Sequence, residues 1–187
     1  MKYLLKLHVW QLFLLLCGLP LFVGFFGPGL MNFFNKKWIV SLIASVQMLL
    51  VIGILFSWFW AVGITSNEKV KPEIRMKVGV FKSSLAYSII WWLIYLVYWT
   101  RKSQLLGDLL EQNDITAIMG QFSSWDYLLV MVFQSIAMIC MFYVSYFIAK
   151  NLVMAEKQKK VTFNEFRNVL FSLWFLPIGI WLINLYE

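Results

Sequence analysis

Residues 38–64 read WIVSLIASVQMLLVIGILFSWFWAVGI, a stretch with no Asp, Glu, Lys or Arg. At ~1.5 Å per residue, a helix over this stretch reaches about 40 Å, more than the ~30 Å hydrocarbon core of a bilayer. In hydrocarbon every backbone N–H and C=O must be bonded internally, so an isolated run of this kind has to be a helix. Four further apolar runs lie at 9–26, 83–100, 127–149 and 169–185. The expected fold is therefore all-α: a polytopic transmembrane helix bundle of about five spans, forming one integral membrane domain over residues 1–187. The fifth run is short and carries Pro177-Ile178-Gly179 at its middle, so it is read either as a full crossing or as a re-entrant element.

Composition agrees with the runs. The chain is 61% hydrophobic and 13% charged, with 17 Phe, 10 Trp and 8 Tyr, whereas a soluble domain has roughly 25% charged residues. Too little sequence lies outside the runs for a separate soluble domain. The net charge of +7 would suggest nucleic acid in a soluble chain. Here the cations flank apolar runs, where they meet anionic lipid heads, and no nucleic-acid partner is expected.

Charge also predicts orientation. The N-terminus, the connection after the second run and the connection after the fourth carry twelve of the Lys and Arg residues; the other side carries Lys36, Lys37, Arg101 and Lys102. The positive-inside rule then puts the N-terminus in the cytoplasm and, with five crossings, the C-terminus outside. Lys2 and Lys6 before Leu12–Leu16 imitate a signal peptide, but no small-residue cleavage site follows, so an uncleaved first span is expected.

The connections have their own signals. Residues 66–82 form a polar link in which Pro72 suits the first turn of a short helix. Arg101-Lys102 is expected to stop the third span. Residues 104–125 read as surface helices on the membrane or as an ordered loop, with Asp114 as a cap for a helix through Gly120.

Little in the chain points to chemistry. There is no nucleophile motif, zinc motif, phosphate loop or dinucleotide-binding glycine pattern. The one histidine, His8, and the two cysteines, Cys17 and Cys140, make no metal or disulfide framework. No catalytic residue, metal or cofactor is expected. The candidate intramembrane polar contacts, or the lining of a ligand path, are Gln47, Gln134 and Ser135, because a buried amide in lipid must find a partner. Pro20, Pro177 and Gly179 are candidate hinges. Lys69, Lys71, Arg75, Lys77, Lys157, Lys159 and Lys160 are candidate contacts for anionic lipid.

Two groups of residues carry a resemblance. One runs from Ser57-Trp58 to Asn67-Glu68-Lys69, with Met76 and Phe81-Lys82. The other runs from Tyr143 to Lys150-Asn151-Leu152, with Ala155-Glu156, Val161-Thr162-Phe163, Glu165-Phe166 and Trp174-Phe175-Leu176-Pro177-Ile178-Gly179-Ile180-Trp181. Together they resemble a group of uncharacterised bacterial multi-pass integral membrane proteins of unknown function. The resemblance implies a bacterial cytoplasmic membrane and assigns no site. The expected role is that of a non-enzymatic accessory or scaffold subunit, with membrane lipids and either a second copy or another membrane protein as partners. The alternative is a small transporter, channel or lipid- or small-ligand-binding membrane protein.

Overall fold

The structure is a computed structural model that describes residues 37–111, 120 and 125–174, with the backbone alone described for 37–44, 103–111 and 126. Every element among these residues is a helix: α1 (Lys37–Lys69), α2 (Val78–Glu111), α3 (Trp125–Lys157) and α4 (Phe163–Trp174). Three stretches are long and apolar enough to cross a membrane: Ser45–Lys69, Val78–Lys102 and Tyr127–Lys157. The all-helical membrane expectation holds in that form. The 9–26 run, most of the 169–185 run and the surface-helix reading around Asp114 lie outside the described residues.

The helices overrun the expected spans at both ends. The second run, expected over 38–64, continues to Lys69; the fourth, expected over 127–149, continues to Lys157. Arg101-Lys102 does not stop the third, whose helix extends to Glu111. Charged side chains disfavour hydrocarbon but do not interrupt helical hydrogen bonding, so a helix has no need to stop where a span-length apolar run ends. Lys82 and Arg101 lie 101 − 82 = 19 residues apart, about 28 Å along a helix and close to the thickness of the hydrocarbon core. Pro72 opens a single turn closed by Ile74 N–H donating to Lys71 O (3.1 Å), not the short helix expected there.

The ends of α1 and α3 meet through one side chain. Gln158 Nε2 donates to Lys69 O at 3.0 Å and to Ala155 O at 2.6 Å. The two helices therefore run in the same direction, and α2 returns between them. α4 runs back along α3: Phe166 meets Tyr146 edge-on at 5.3 Å, and one helical turn or more further on Trp174 stacks on Phe142 at 3.9 Å. The end holding residues 69–77 and 157–160 is called the basic end below.

The core sits toward that end. Phe56, Phe59, Val62 and Val70 pack with Phe81 and Leu85 of α2, with Val144, Phe147, Ile148 and Met154 of α3, and with Phe166 and Leu173 of α4. Phe81 and Phe147 stack at its centre, with ring centroids 4.5 Å apart. Gly63 lies against Phe81 so closely that no larger residue fits without a shift. Toward the opposite end the apolar side chains turn outward: Ile90, Leu93, Ile94 and Val97 on α2, and most of Tyr127–Phe142 on α3, are exposed. Apolar surface in contact with lipid carries no penalty, so this inversion along the same helices is what a membrane chain allows.

Trp58 and Trp60 both stand near the end of the 38–64 run, where tryptophans suit an interfacial belt. Trp58 is instead 4% exposed and part of the core. Two positions apart on a helix means about 200° of rotation, so only one of the pair faces out. That one is Trp60, whose ring lies 5.4 Å from Lys82 Nζ.

Candidate functional site

Three groups of polar residues are available to carry function, and each is built by a different helix junction. The first is inside the span-length part of the bundle. Trp91 of α2 is buried, and its indole Nε1–H donates to Gln134 Oε1 of α3 at 2.8 Å. Phe133 stacks on the same indole at 5.4 Å. An indole has one donor and no acceptor, so this pairing satisfies it completely. Interhelical bonds of this kind contribute about 0.6–2 kcal/mol in lipid. Tyr95 continues the aromatic column, edge-on to Trp92 and stacked on Trp99.

The other two expected intramembrane polar residues are not brought to this pair. Ser135 is exposed and its Oγ donates back to Met131 O of its own helix at 2.9 Å. Gln47 is half-buried near the opposite end of α1. Pro20, Pro177 and Gly179 lie outside the described residues.

The second group is in the core of the basic end. Asn67 of α1 and Asn151 of α3 are 3% and 0% exposed. Asn67 Oδ1 and both polar atoms of the Asn151 amide have no hydrogen-bond partner. Leaving such groups unmade costs about 1–3 kcal/mol each. Ser66 and Ser88 are also buried, but each donates to a carbonyl one turn earlier, Gly63 O and Ser84 O. The two asparagines are the least compensated side chains among the described residues. The sequence reading missed them because both fell in or beside stretches taken as polar connections.

The third group is the basic end itself. Arg75 does not project freely: its Nη2 donates to Glu68 O (2.8 Å) and Val70 O (3.1 Å). With Val70 N–H on Asn67 O and Gln158 on Lys69 O, the carbonyls of Asn67, Glu68 and Lys69, the last three of α1, have donors. Gln158 closes α3 in a left-handed conformation (φ 50°), its N–H donating to Met154 O. Lys150 Nζ donates to Tyr146 Oη at 3.0 Å.

At the start of α4, Thr162 and Glu165 form one arm of a capping box. Glu165 Oε2 accepts from Thr162 N–H at 2.8 Å, and Val161 and Phe166, the flanking staple positions, are both buried. The Thr162-x-x-Glu165 spacing is the local sequence signal for this cap. Lys157 and Lys159 lie 3.0 and 3.5 Å from Glu165 Oε1. The Thr162 N–H foremost, then Lys157, hold the Glu165 carboxyl at about 2, below its ordinary 4.5.

Of the seven candidate lipid contacts, then, Arg75 is engaged with backbone and Lys157 and Lys159 with Glu165. Lys69, Lys71, Lys77 and Lys160 are exposed. No cluster of three metal-ligating side chains occurs among the described residues. A groove on the opposite half of α2 has Leu93, Ile94, Val97, Tyr98, Arg101 and Lys102 as its lining among the described residues. No protein-family model, curated protein or solved structure matches the chain.

Proposed function

We propose that the chain is a non-enzymatic, multi-pass protein of the bacterial cytoplasmic membrane that acts as an accessory or scaffold subunit, packing with a second copy or another membrane protein. In this reading it has five spans, its N-terminus and basic end face the cytoplasm, and its C-terminus lies outside. The count of basic residues on alternate sides supports the orientation. The path of α4 supports a further span, because α4 runs from the basic end back along α3 toward Phe142.

The observation that carries the reading is the first half of α3. From Tyr127 to Phe142 its side chains are exposed on nearly every side, while its one amide, Gln134, is already paired with Trp91. Such a helix offers apolar surface for another helix, and the oxygen of its one amide is already taken by the Trp91 indole. Native mass spectrometry of the protein in lipid nanodiscs, together with crosslinking in native membranes, tests it. A defined oligomer or a second membrane protein is the expected result. A monomer by both methods overturns it.

A small transporter, channel or ligand-binding protein is the second reading, favoured by one observation: the unpartnered Asn67 Oδ1 and Asn151 amide. A monomer that retains one small molecule, and loses it on Asn151→Leu, would replace the scaffold reading with this one.

A further inference from the structure

Sequence shows two basic connections; the structure joins them. The bond from Gln158 to Lys69 O puts residues 157–160 beside residues 69–71, so lysines far apart in the chain share one corner of the basic end. Within that corner the cations are sorted. Arg75 is held on the α1 carbonyls, and Glu165 takes Lys157 and part of Lys159. Lys69, Lys71 and Lys160 are exposed and have no carboxylate within ion-pair distance among the described residues.

Depth supplies the second argument. Lys82 over Trp60 and Lys150 over Tyr146 are cation–aromatic pairs on different helices, the combination that marks the level of a membrane interface. Lys69 is nine residues beyond Trp60 and Lys157 seven beyond Lys150, about 10–13 Å further along the helices. Flexible four-carbon lysine stems are long enough to return from there to the phosphate layer. The backbone beneath them is fixed by the capped end of α1, so little ordering remains to be done on binding.

We propose that the junction of the 70–77 and 158–162 connections is a binding site for anionic phospholipid headgroups, with Lys69, Lys71 and Lys160 as its principal contacts. Lys159, shared with Glu165, is the fourth. The proposal requires a membrane location and the basic end at a leaflet surface; it does not depend on the scaffold reading, and a monomer satisfies it as well as an oligomer.

The test compares the full chain in nanodiscs of phosphatidylcholine alone and of equal parts phosphatidylcholine and phosphatidylglycerol. The readouts are the lipids retained in native mass spectrometry and the thermal midpoint. Wild type is expected to retain phosphatidylglycerol preferentially and to gain midpoint from it, with the gain falling as salt rises. At ~1 kcal/mol per lysine, each charge removed lowers the preference about fivefold. K69Q/K71Q/K160Q should lose most of the preference while keeping its midpoint in phosphatidylcholine. A charge-matched variant at the opposite end, K37Q/R101Q/K102Q, should keep most of it. Equal loss in the two variants means diffuse attraction and overturns the site, as does equal retention of the two lipids by wild type. Inorganic phosphate added to phosphatidylcholine nanodiscs should leave the midpoint unchanged; a shift matching that of phosphatidylglycerol means a free-anion site and overturns the lipid assignment. If the triple variant does not fold, K160Q alone, in an exposed connection, carries the same comparison.

Discussion

A methyl group placed on the α-carbon of Gly63 would lie 2.5 Å from Cζ and 2.9 Å from Cε2 of Phe81. Phe81 cannot give way easily, since it is fully buried and stacked on Phe147. The contact pins α1 to α2 at the level where the buried core begins.

Gly63→Ala is therefore expected to destabilise the bundle. Alanine gains roughly 1 kcal/mol over glycine inside a helix, but overpacking a close-packed core costs about 1–3 kcal/mol. The thermal midpoint in nanodiscs should fall. Adding Phe81→Leu, which makes room for the methyl group, should restore part of the loss. An unchanged or raised midpoint for Gly63→Ala alone would refute the close approach.

Trp91 and Gln134 should behave as a coupled pair. Trp91→Phe leaves the Gln134 amide without its donor, and Gln134→Leu leaves the indole N–H without its acceptor. Each single change is expected to lower stability by about 1–2 kcal/mol, and the double variant to lose less than the sum, with a coupling of about 0.6–2 kcal/mol. Additive losses in a double-mutant cycle would mean that the 2.8 Å bond carries no interhelical energy.

Asn151 gives the opposite sign. Its amide is fully buried with neither polar atom bonded, so Asn151→Leu removes an unmet requirement at similar volume. The midpoint should stay level or rise, while Asn151→Asp, which buries a carboxyl in the same place, should lower it. A large loss on Asn151→Leu would show that the amide has a partner in the membrane-embedded protein.

Glu165 sets an acid limit on the docking of α4. Its carboxyl titrates at about 2 against an ordinary 4.5, first because it accepts the Thr162 N–H and then because of Lys157. The folded value lies below the unfolded one, so its contribution is complete above about pH 4.5 and is lost as pH falls toward 2. Melts across that range should show a steeper acid slope for wild type than for Glu165→Gln, which should also melt lower at neutral pH. Parallel slopes would remove Glu165 from the account.

Three helices long and apolar enough to cross a membrane were legible in the sequence because charge is what lipid excludes: Lys82 and Arg101 bracket a stretch of about bilayer thickness. Helix ends were not legible from the same signal. α1 and α3 continue past Ile64 and Ala149 because their backbone bonds are as good in water as in lipid, and they stop only where Arg75 and Gln158 supply donors to their last carbonyls. Those donors come from residues distant along the chain or beyond a turn, and no local spacing announces them. Gln134 was identifiable as an amide in need of a partner, but Trp91 was one aromatic among many. Asn67 and Asn151 were passed over for a related reason: polar residues beside a run of lysines read as surface, and only the packing of α1 against α3 puts them inside.

Gln158 is a single side chain bonded to the ends of two helices. If α1 and α3 separate at that end, Lys69 O loses its donor and Gln158 loses its hold on α1 in the same event. Amide exchange in the 70–74 turn and at Gln158 should then report one shared opening with one free energy, so that the two connections fray as a unit even though nearly half the chain lies between them.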